Sequence, residues 1–292
     1  MKPSHSQPRS KREPGPKAAP GTGSLVLVAT PIGNLGDITA RALEGLKSAD
    51  VIACEDSRVT AKLLRHIGVK RPMTPYHDHN ADRARPELIA QMADKAIALV
   101  SDAGTPLISD PGYKLVRDAR AAGRDIHTVA GPCAAVAALT LAGLPTDRFL
   151  FLGFLPAKAG ARSAAIAEVA AIRATLILYE SGPRLGASLA ALRDGLGERD
   201  AAVVREISKK FEETVTGTLA ELAQRYDDAP PKGEIVIVVG PPGEAEPAGE
   251  EDVDAALAEA MTRLSASRAA AEVAQKLGLP RREVYERALA LK

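Results

Sequence analysis

The chain has 292 residues, 46% hydrophobic and 26% charged, with 38 basic against 37 acidic side chains and a net charge of +1. This is the composition of a soluble globular protein long enough for two domains and a smaller third, with no global charge to attract a nucleic acid. Aromatic content of 3% without Trp discounts base stacking as a major binding mode. No apolar run approaches the roughly 18–20 residues of a membrane span. The N-terminus lacks the apolar core of a secretory signal. Cys54 and Cys133, far apart, suit a reducing cytoplasm better than a disulfide framework.

Residues 1–23 are rich in Pro, Ser and Gly and carry Lys2, Arg9, Lys11, Arg12 and Lys17 against Glu13. Such a segment buries too little apolar surface to offset its ordering entropy, and a disordered basic tail is expected. From Ser24, LVLVA, DVIACE, AIALVSD and DIHTVAG read as buried strands ending in turns. RALEGLKS, RVTAKLLRHIG, ELIAQMADK and YKLVRDARAAG have helical periodicity. Strands separated by helices predict an α/β fold with a largely parallel sheet covered on both faces, over 24–131. FLFLGF, TLILYES, AAVVRE, ETVTG and GEIVIVVG predict a second α/β domain over 132–243. ETVTG follows AAVVREISKKFE too closely for a crossover helix, so this second sheet should be mixed. PPGEAEPAGEE leads through a linker placed at 244–251, and 252–292 reads as three short helices. Within them AAAEVAQKLGLPRREVYERAL has the form of a helix-turn-helix, with Arg281 and Arg282 opening its second helix. It is either a nucleic-acid-binding element or a small packing bundle.

In an open α/β sheet, ligands sit beyond the carboxyl ends of the strands, so strand-to-helix turns are the places to search for chemistry. The first, TPIGNLGD, has Pro31 at the strand exit, Gly33 and Gly36 for close approach, and Asp37 or Thr39 to cap the next helix. It matches neither of the familiar phosphate cradles, G-x-G-x-x-G and the G-K-[ST] loop. The second, CEDSRVT, crowds Glu55, Asp56 and Arg58 at one strand end. The third, SDAGTPLISDPG, places Asp102 at a strand end and Asp110–Pro111 as a helix start. Its backbone amides and carboxylate suit a ligand carrying both carboxylate and cationic groups, as S-adenosylmethionine does. The fourth, REISKKFEETVTG, holds Arg205, Lys209 and Lys210 among glutamates, as either a phosphate contact or a surface ion-pair ladder. His77 and His79 lack a third well-placed ligand, and no metal site is expected.

Taken in order, VATPIGNLGDITARALEGLKSADVIACEDSRVT, YHDHN, SDAGTPLISDPG, VAGPCAAVAAL and REISKKFEETVTG closely resemble the ribosomal RNA small subunit methyltransferase I family. Members are 2′-O-methyltransferases of a decoding-centre cytidine in 16S rRNA. They belong to the tetrapyrrole methylase-like superfamily of class III methyltransferases, whose two α/β domains bind S-adenosylmethionine in the cleft between them. The resemblance covers residues 24–243 strongly, and the C-terminal helices match a small extension of many members. It implies that PIGNLGD lines the cleft, that Asp102, Ala103, Gly104 and Thr105 contact the cofactor, and that Pro132 and Cys133 form another cofactor-facing turn. Cys133 stands where the family more usually has Ser. YESGPR keeps Arg184 but lacks the histidine of the usual Tyr-Glu-Ser-Pro-His-Arg, which excludes a histidine base there. On this basis Glu55, Asp56, Arg58, Lys209 and Lys210 are expected to contain the catalytic apparatus. Pro31, Asn34, Arg184, Arg205, Arg281 and Arg282 are expected to meet the substrate. The implied partner is 16S rRNA or the assembled small ribosomal subunit, and the implied state a cytoplasmic homodimer. Two rivals stand beside it: a methylase of a tetrapyrrole, and a non-catalytic nucleic-acid-binding regulator on the same scaffold.

Overall fold

In a computed structural model, which describes residues 23–227, 230–243, 250–277 and 279–291, the alternating apolar runs form two five-stranded sheets. The first is built from β1 (Ser24–Val28), β2 (Val51–Cys54), β3 (Met73–Pro75), β4 (Ile97–Val100) and β5 (Asp125–Val129), all parallel in the order β3-β2-β4-β1-β5. Between them run α1 (Ala40–Ser48), α2 (Ser57–His66), α3 (Ala81–Gln91) and α4 (Tyr113–Ala121). Successive strand residues face opposite sides, so both sides must be covered. Val26, Val28, Ile52, Cys54, Ala98 and Val100 pack with Ala42, Leu46 and Leu64 of α1 and α2. Leu25, Ala53, Ile97 and Leu99 pack with Ala84, Leu88, Leu115 and Ala119 of α3 and α4.

Three local expectations change. β3, three residues long at the sheet edge, escaped the apolar-run criterion. α3 begins at Ala81, before Pro86 rather than after it. Buried Ala81, Ala84 and Leu88 hold that helix on the sheet despite the amide Pro86 lacks. Asp110–Pro111 does not start α4, which begins at Tyr113 with Gly112 as its N-cap. Thr39 does cap α1, accepting from the Ala42 amide at 3.0 Å.

The second sheet, in the order β6-β7-β10-β8-β9, comprises β6 (Phe149–Phe154), β7 (Thr175–Ser181), β8 (Asp200–Arg205), β9 (Glu213–Thr218) and β10 (Glu234–Val239). Only β6 and β7 pair in parallel; the β7–β10, β10–β8 and β8–β9 pairs are antiparallel. One face is covered by α6 (Ala159–Val169), α7 (Leu185–Leu196) and α8 (Leu219–Arg225). The other receives α5 (Ala134–Leu141), together with Ile32 from the turn after β1.

Both sheets lie in one compact unit, 1–241; residues 242–292 form a second. The latter's helices, α9 (Glu250–Met261), α10 (Ala266–Leu277) and α11 (Arg281–Ala290), enclose Leu257, Ala269, Ala270, Val273, Val284 and Ala288. The tail expected over 1–23 lies outside the described residues except for Gly23, as does the linker expected over 244–251 except for its last two positions. Among the described residues no helix is long and apolar enough to cross a membrane.

Candidate active site

The turns singled out in the sequence converge at the carboxyl end of the first sheet and are tied to one another. Thr30 and Gly104 form an isolated antiparallel bridge, with N–H···O distances of 2.9 and 3.1 Å, joining the first turn to the third. The Asp56 amide donates to Asp102 Oδ1 at 2.9 Å, joining the second to the third. Thr105 Oγ1 donates to the Pro132 carbonyl at 2.9 Å, joining the third to the GPC turn. The fourth segment closes from the second sheet: a Cβ at Gly33 (φ +156°) would stand 2.7 Å from Lys209 Cε. Only glycine lets the PIGN backbone lie against that lysine.

These ties frame a cavity of about 350 Å³ lined by the turns that follow β1, β4 and β5, by the start of α5, and by residues of β6, β7 and β10 in the second sheet. That size falls within the range of roughly 300–1,000 Å³ common for small-molecule sites. Its apolar wall is made by Ile32, Ile108, Ile207, Val236 and Phe154, and its polar groups include Asp110, Tyr179 and Glu234. Two short loops built alike meet here. Leu107 and Ser109 have φ of 75° and 64°, and Glu206 and Ser208 have 51° and 63°. The residue between each pair, Ile108 or Ile207, lines the cavity. Left-handed non-glycine backbone is costly and concentrates at sites where a side chain must be aimed.

Asp110 is pushed from the ordinary 3.8 to about 6, chiefly by burial; Asp102 adds to the rise and a hydrogen bond with Ser101 opposes it. Glu55 is also raised, by burial and then by Asp110 and Asp102. Burial takes Tyr179 to about 12, and its hydroxyl accepts from the Ala135 amide at 3.2 Å. The other expected groups are engaged elsewhere. Asp56, held at about 2 by its hydrogen bond from Arg58, is a solvent-side ion pair with that residue at 2.6 Å. Lys209 bridges Glu206 and Glu234 at 2.9 and 2.7 Å, and these carboxylates raise its pKa against the opposing effect of burial. Lys210 is exposed and sits 5.5 Å from the Phe211 ring centroid.

Of the expected cofactor contacts, Ala103, Gly104, Thr105 and Cys133 line the cavity; Asp102 and Pro132 serve as the ties just described. Among the expected substrate contacts, Pro31 is buried and Asn34 caps a 3-10 turn, accepting from Gly36 at 3.0 Å. Arg184 donates to the Leu155 carbonyl at 2.5 Å and pairs with buried Glu180 at 3.4 Å. Arg205 pairs with Glu213 at 2.5 Å. In the separate helical unit, Arg281 and Arg282 are exposed, the latter pairing with Glu286 at 3.0 Å. Sequence reasoning missed Ile108, Ile207, Phe154 and Tyr179 as cavity residues and took Asp110 for a helix cap. The SDPG and ISKK segments were visible, but left-handed backbone at Leu107, Ser109, Glu206 and Ser208 has no glycine to announce it.

An amphiphilic cofactor with an aminocarboxylate fits this chemistry. The apolar wall accepts an aromatic base, and Ala134, the cavity-lining first residue of α5, brings the N-terminal end of that helix to the cavity for a carboxylate, beside the Ala135 amide that Tyr179 already occupies. Asp110 supplies a negative charge for a cationic centre.

A family model for tetrapyrrole (corrin/porphyrin) methylases matches residues 24–223, and one described as the RsmI C-terminal HTH domain matches residues 247–292. A protein of Erythrobacter litoralis named ribosomal RNA small subunit methyltransferase I is 52% identical over 94% of this chain and 98% of its own length. One of the same name from Mesorhizobium japonicum is 50% identical over 94% of each. Among solved structures, a uroporphyrin-III C-methyltransferase from Thermus thermophilus, complexed with S-adenosylhomocysteine, superimposes with a TM-score of 0.52 at 20% identity. It covers 74% of this chain and 97% of its own and bears on the fold alone. Matched by the first model over two thirds of its length and by half-identical relatives over nearly all of it, the chain belongs to the tetrapyrrole methylases, in the ribosomal RNA small subunit methyltransferase I family.

Proposed function

We propose that the protein is an S-adenosylmethionine-dependent methyltransferase of small-subunit ribosomal RNA that methylates the ribose 2′-hydroxyl of a decoding-centre cytidine in 16S rRNA. It acts in the cytoplasm on the assembled subunit, as a homodimer. The observation that carries the reading is the cavity at the strand ends, which offers the amide, apolar and carboxylate groups this cofactor calls for, in a chain similar over nearly its whole length to relatives named ribosomal RNA small subunit methyltransferase I. The modest net charge favours an assembled subunit, whose shape completes the contacts, over naked RNA. Exposed Val136 and Leu141 on α5 offer apolar surface for a second copy.

When bound, S-adenosylmethionine supplies an electrophilic methyl group on a sulfonium sulfur. The N-terminal end of α5 at Ala134 would hold its carboxylate, and Ile32, Ile108 and Ile207 would exclude water around it. Proton removal from the ribose hydroxyl falls to Asp110, the cavity carboxylate outside any ion pair, whose raised pKa near neutrality suits a base. Beside a bound sulfonium, Asp110 would have a lower pKa and stay ionised. Glu55 adds charge behind Asp110, Lys209 anchors the cleft, and Asp56 with Arg58 shapes its rim. Arg281 and Arg282 dock RNA phosphates. A tetrapyrrole substrate is disfavoured by the helical extension, which a small-molecule enzyme does not need.

The test is methyl transfer from labelled S-adenosylmethionine to small subunits lacking the modification, with naked 16S rRNA and a precorrin-type tetrapyrrole alongside. Nucleoside mass spectrometry reads the product. Ribose-methylated cytidine on subunits is expected; transfer to the tetrapyrrole alone, or to none of the three, would overturn the reading.

A further inference from the structure

The second sheet contains a device aimed at the cavity that the cofactor does not explain. Along β6 and β7 the register runs Phe151 opposite Ile177, then Gly153 opposite Leu178 and Phe154 opposite Tyr179, leaving Leu152 as an extra residue. Gly153 carries this bulge at φ +64°. Strand side chains alternate between faces, so without the bulge Phe151 and Phe154 would point to opposite sides. With it, both rings stand edge-to-face against Tyr179, at 4.9 and 5.7 Å. Bulges beside active sites commonly serve to re-aim a side chain in this way. Here the side chain brought round is Phe154, which lines the cavity and yet is 56% exposed. The bulge also lies against the opposite wall, since a Cβ at Gly153 would come 3.2 Å from Ser109 Oγ.

We propose that Phe154 is the stacking platform for the base of the nucleotide being methylated, held by the β6 bulge at the open side of the cofactor cavity. This rests on the RNA-methylating reading above. A concave cavity receives a ribose 2′-hydroxyl most readily from a nucleotide splayed out of its strand. Unstacked RNA bases are characteristically received on aromatic rings. Buried Ile207 and Val236, rather than this exposed ring, would hold the cofactor's adenine. The low aromatic content excludes an extended stacking surface, but one aimed ring is enough for one base.

The experiment compares Phe154→Ala, Phe154→Leu and Phe154→Tyr in the full chain, measuring kcat and KM with unmodified small subunits and the dissociation constant for S-adenosylmethionine by calorimetry. Ala and Leu are expected to raise KM for subunits by roughly five- to a hundredfold, the equivalent of one lost base stack. Tyr should restore it, and cofactor affinity should stay unchanged in all three. Leu performing as well as Phe would show that bulk and not a π-face is required. Loosened cofactor binding in parallel would make Phe154 an adenine contact, and an unchanged KM with loss of dimer in sedimentation would make it an interchain contact. Each of these overturns the inference while leaving the methyltransferase reading in place; no transfer by the unaltered chain would remove both.

Discussion

Replacing Asp110 by Asn should make the protein more stable and nearly inactive, and both effects follow from one number. Burial moves this carboxyl from 3.8 to about 6, which disfavours its ionised form by about 3 kcal/mol at ~1.4 kcal/mol per pKa unit. The group is partly open to solvent, and screening brings the figure to about 1–2 kcal/mol. Because the folded-state pKa lies above the unfolded one, the carboxyl's favourable contribution to folding is complete below pH 3.8 and is lost as pH rises through about 6. Asn has the same shape, can still accept from Ser101 and never ionises. At pH 8 Asp110→Asn should therefore melt about 2–6 °C above the unaltered chain. The gap should close as pH falls to 4. Turnover should fall by at least about a hundredfold, as for loss of a general base. In the unaltered enzyme the acid limb of kcat/KM should lie near pH 6. Thermal melts at pH 4, 6 and 8 with single-turnover methyl transfer on subunits measure all of this. A variant less stable at pH 8 would show that the carboxylate is paired in the fold, and one retaining full turnover would remove it from the chemistry.

Gly33→Ala should lower turnover by forcing Lys209 from its place. The loss should shrink in the Lys209→Ala background, with a coupling of about 0.5–3 kcal/mol in a double-mutant cycle. Arg184→Ala should destabilise the fold by about 2 kcal/mol, since it leaves the Glu180 carboxylate, 1% exposed, without its cation. Melts should show part of that loss recovered in Arg184→Ala/Glu180→Gln. Removing Arg281 and Arg282 together should weaken subunit binding uniformly and flatten the salt dependence of binding by about two counterions. Filter binding across a salt titration would show it, and an unchanged slope would leave the helical unit a packing bundle.

The architecture was legible because its cause is local. A parallel sheet covered on both faces writes itself as continuous apolar runs such as VIAC and IALV, broken at regular spacing by amphipathic helices. The antiparallel β8–β9 pair follows from a connection too short to cross the sheet. β3 and the start of α3 were not legible, because a three-residue strand that follows Pro72 and ends on Pro75 carries no periodicity, and Pro86 mimics a boundary. The turns that form the site were legible from glycines, prolines and acids gathered at strand ends. Which side chains face the ligand was not.

That assignment depends on contacts between segments far apart in the chain. Asp102 is spent on the Asp56 amide, 46 residues away, while Asp110, placed like a helix start, lies half-buried in the cavity with a raised pKa. Lys209 read either as a phosphate contact or as part of an ion-pair ladder, and it holds Glu206 and Glu234. Phe154 would have been read as facing away from the cavity, and a single extra residue in β6 reverses it. Sequence by itself determined the order of strands and helices and the turns where chemistry could sit, because those depend on periodicity and on backbone freedom within a few residues. Only the tertiary structure decided which carboxylate is desolvated, which cation is already paired and which ring lines the cavity, because burial and charge are set by neighbours brought together from segments far apart in the chain.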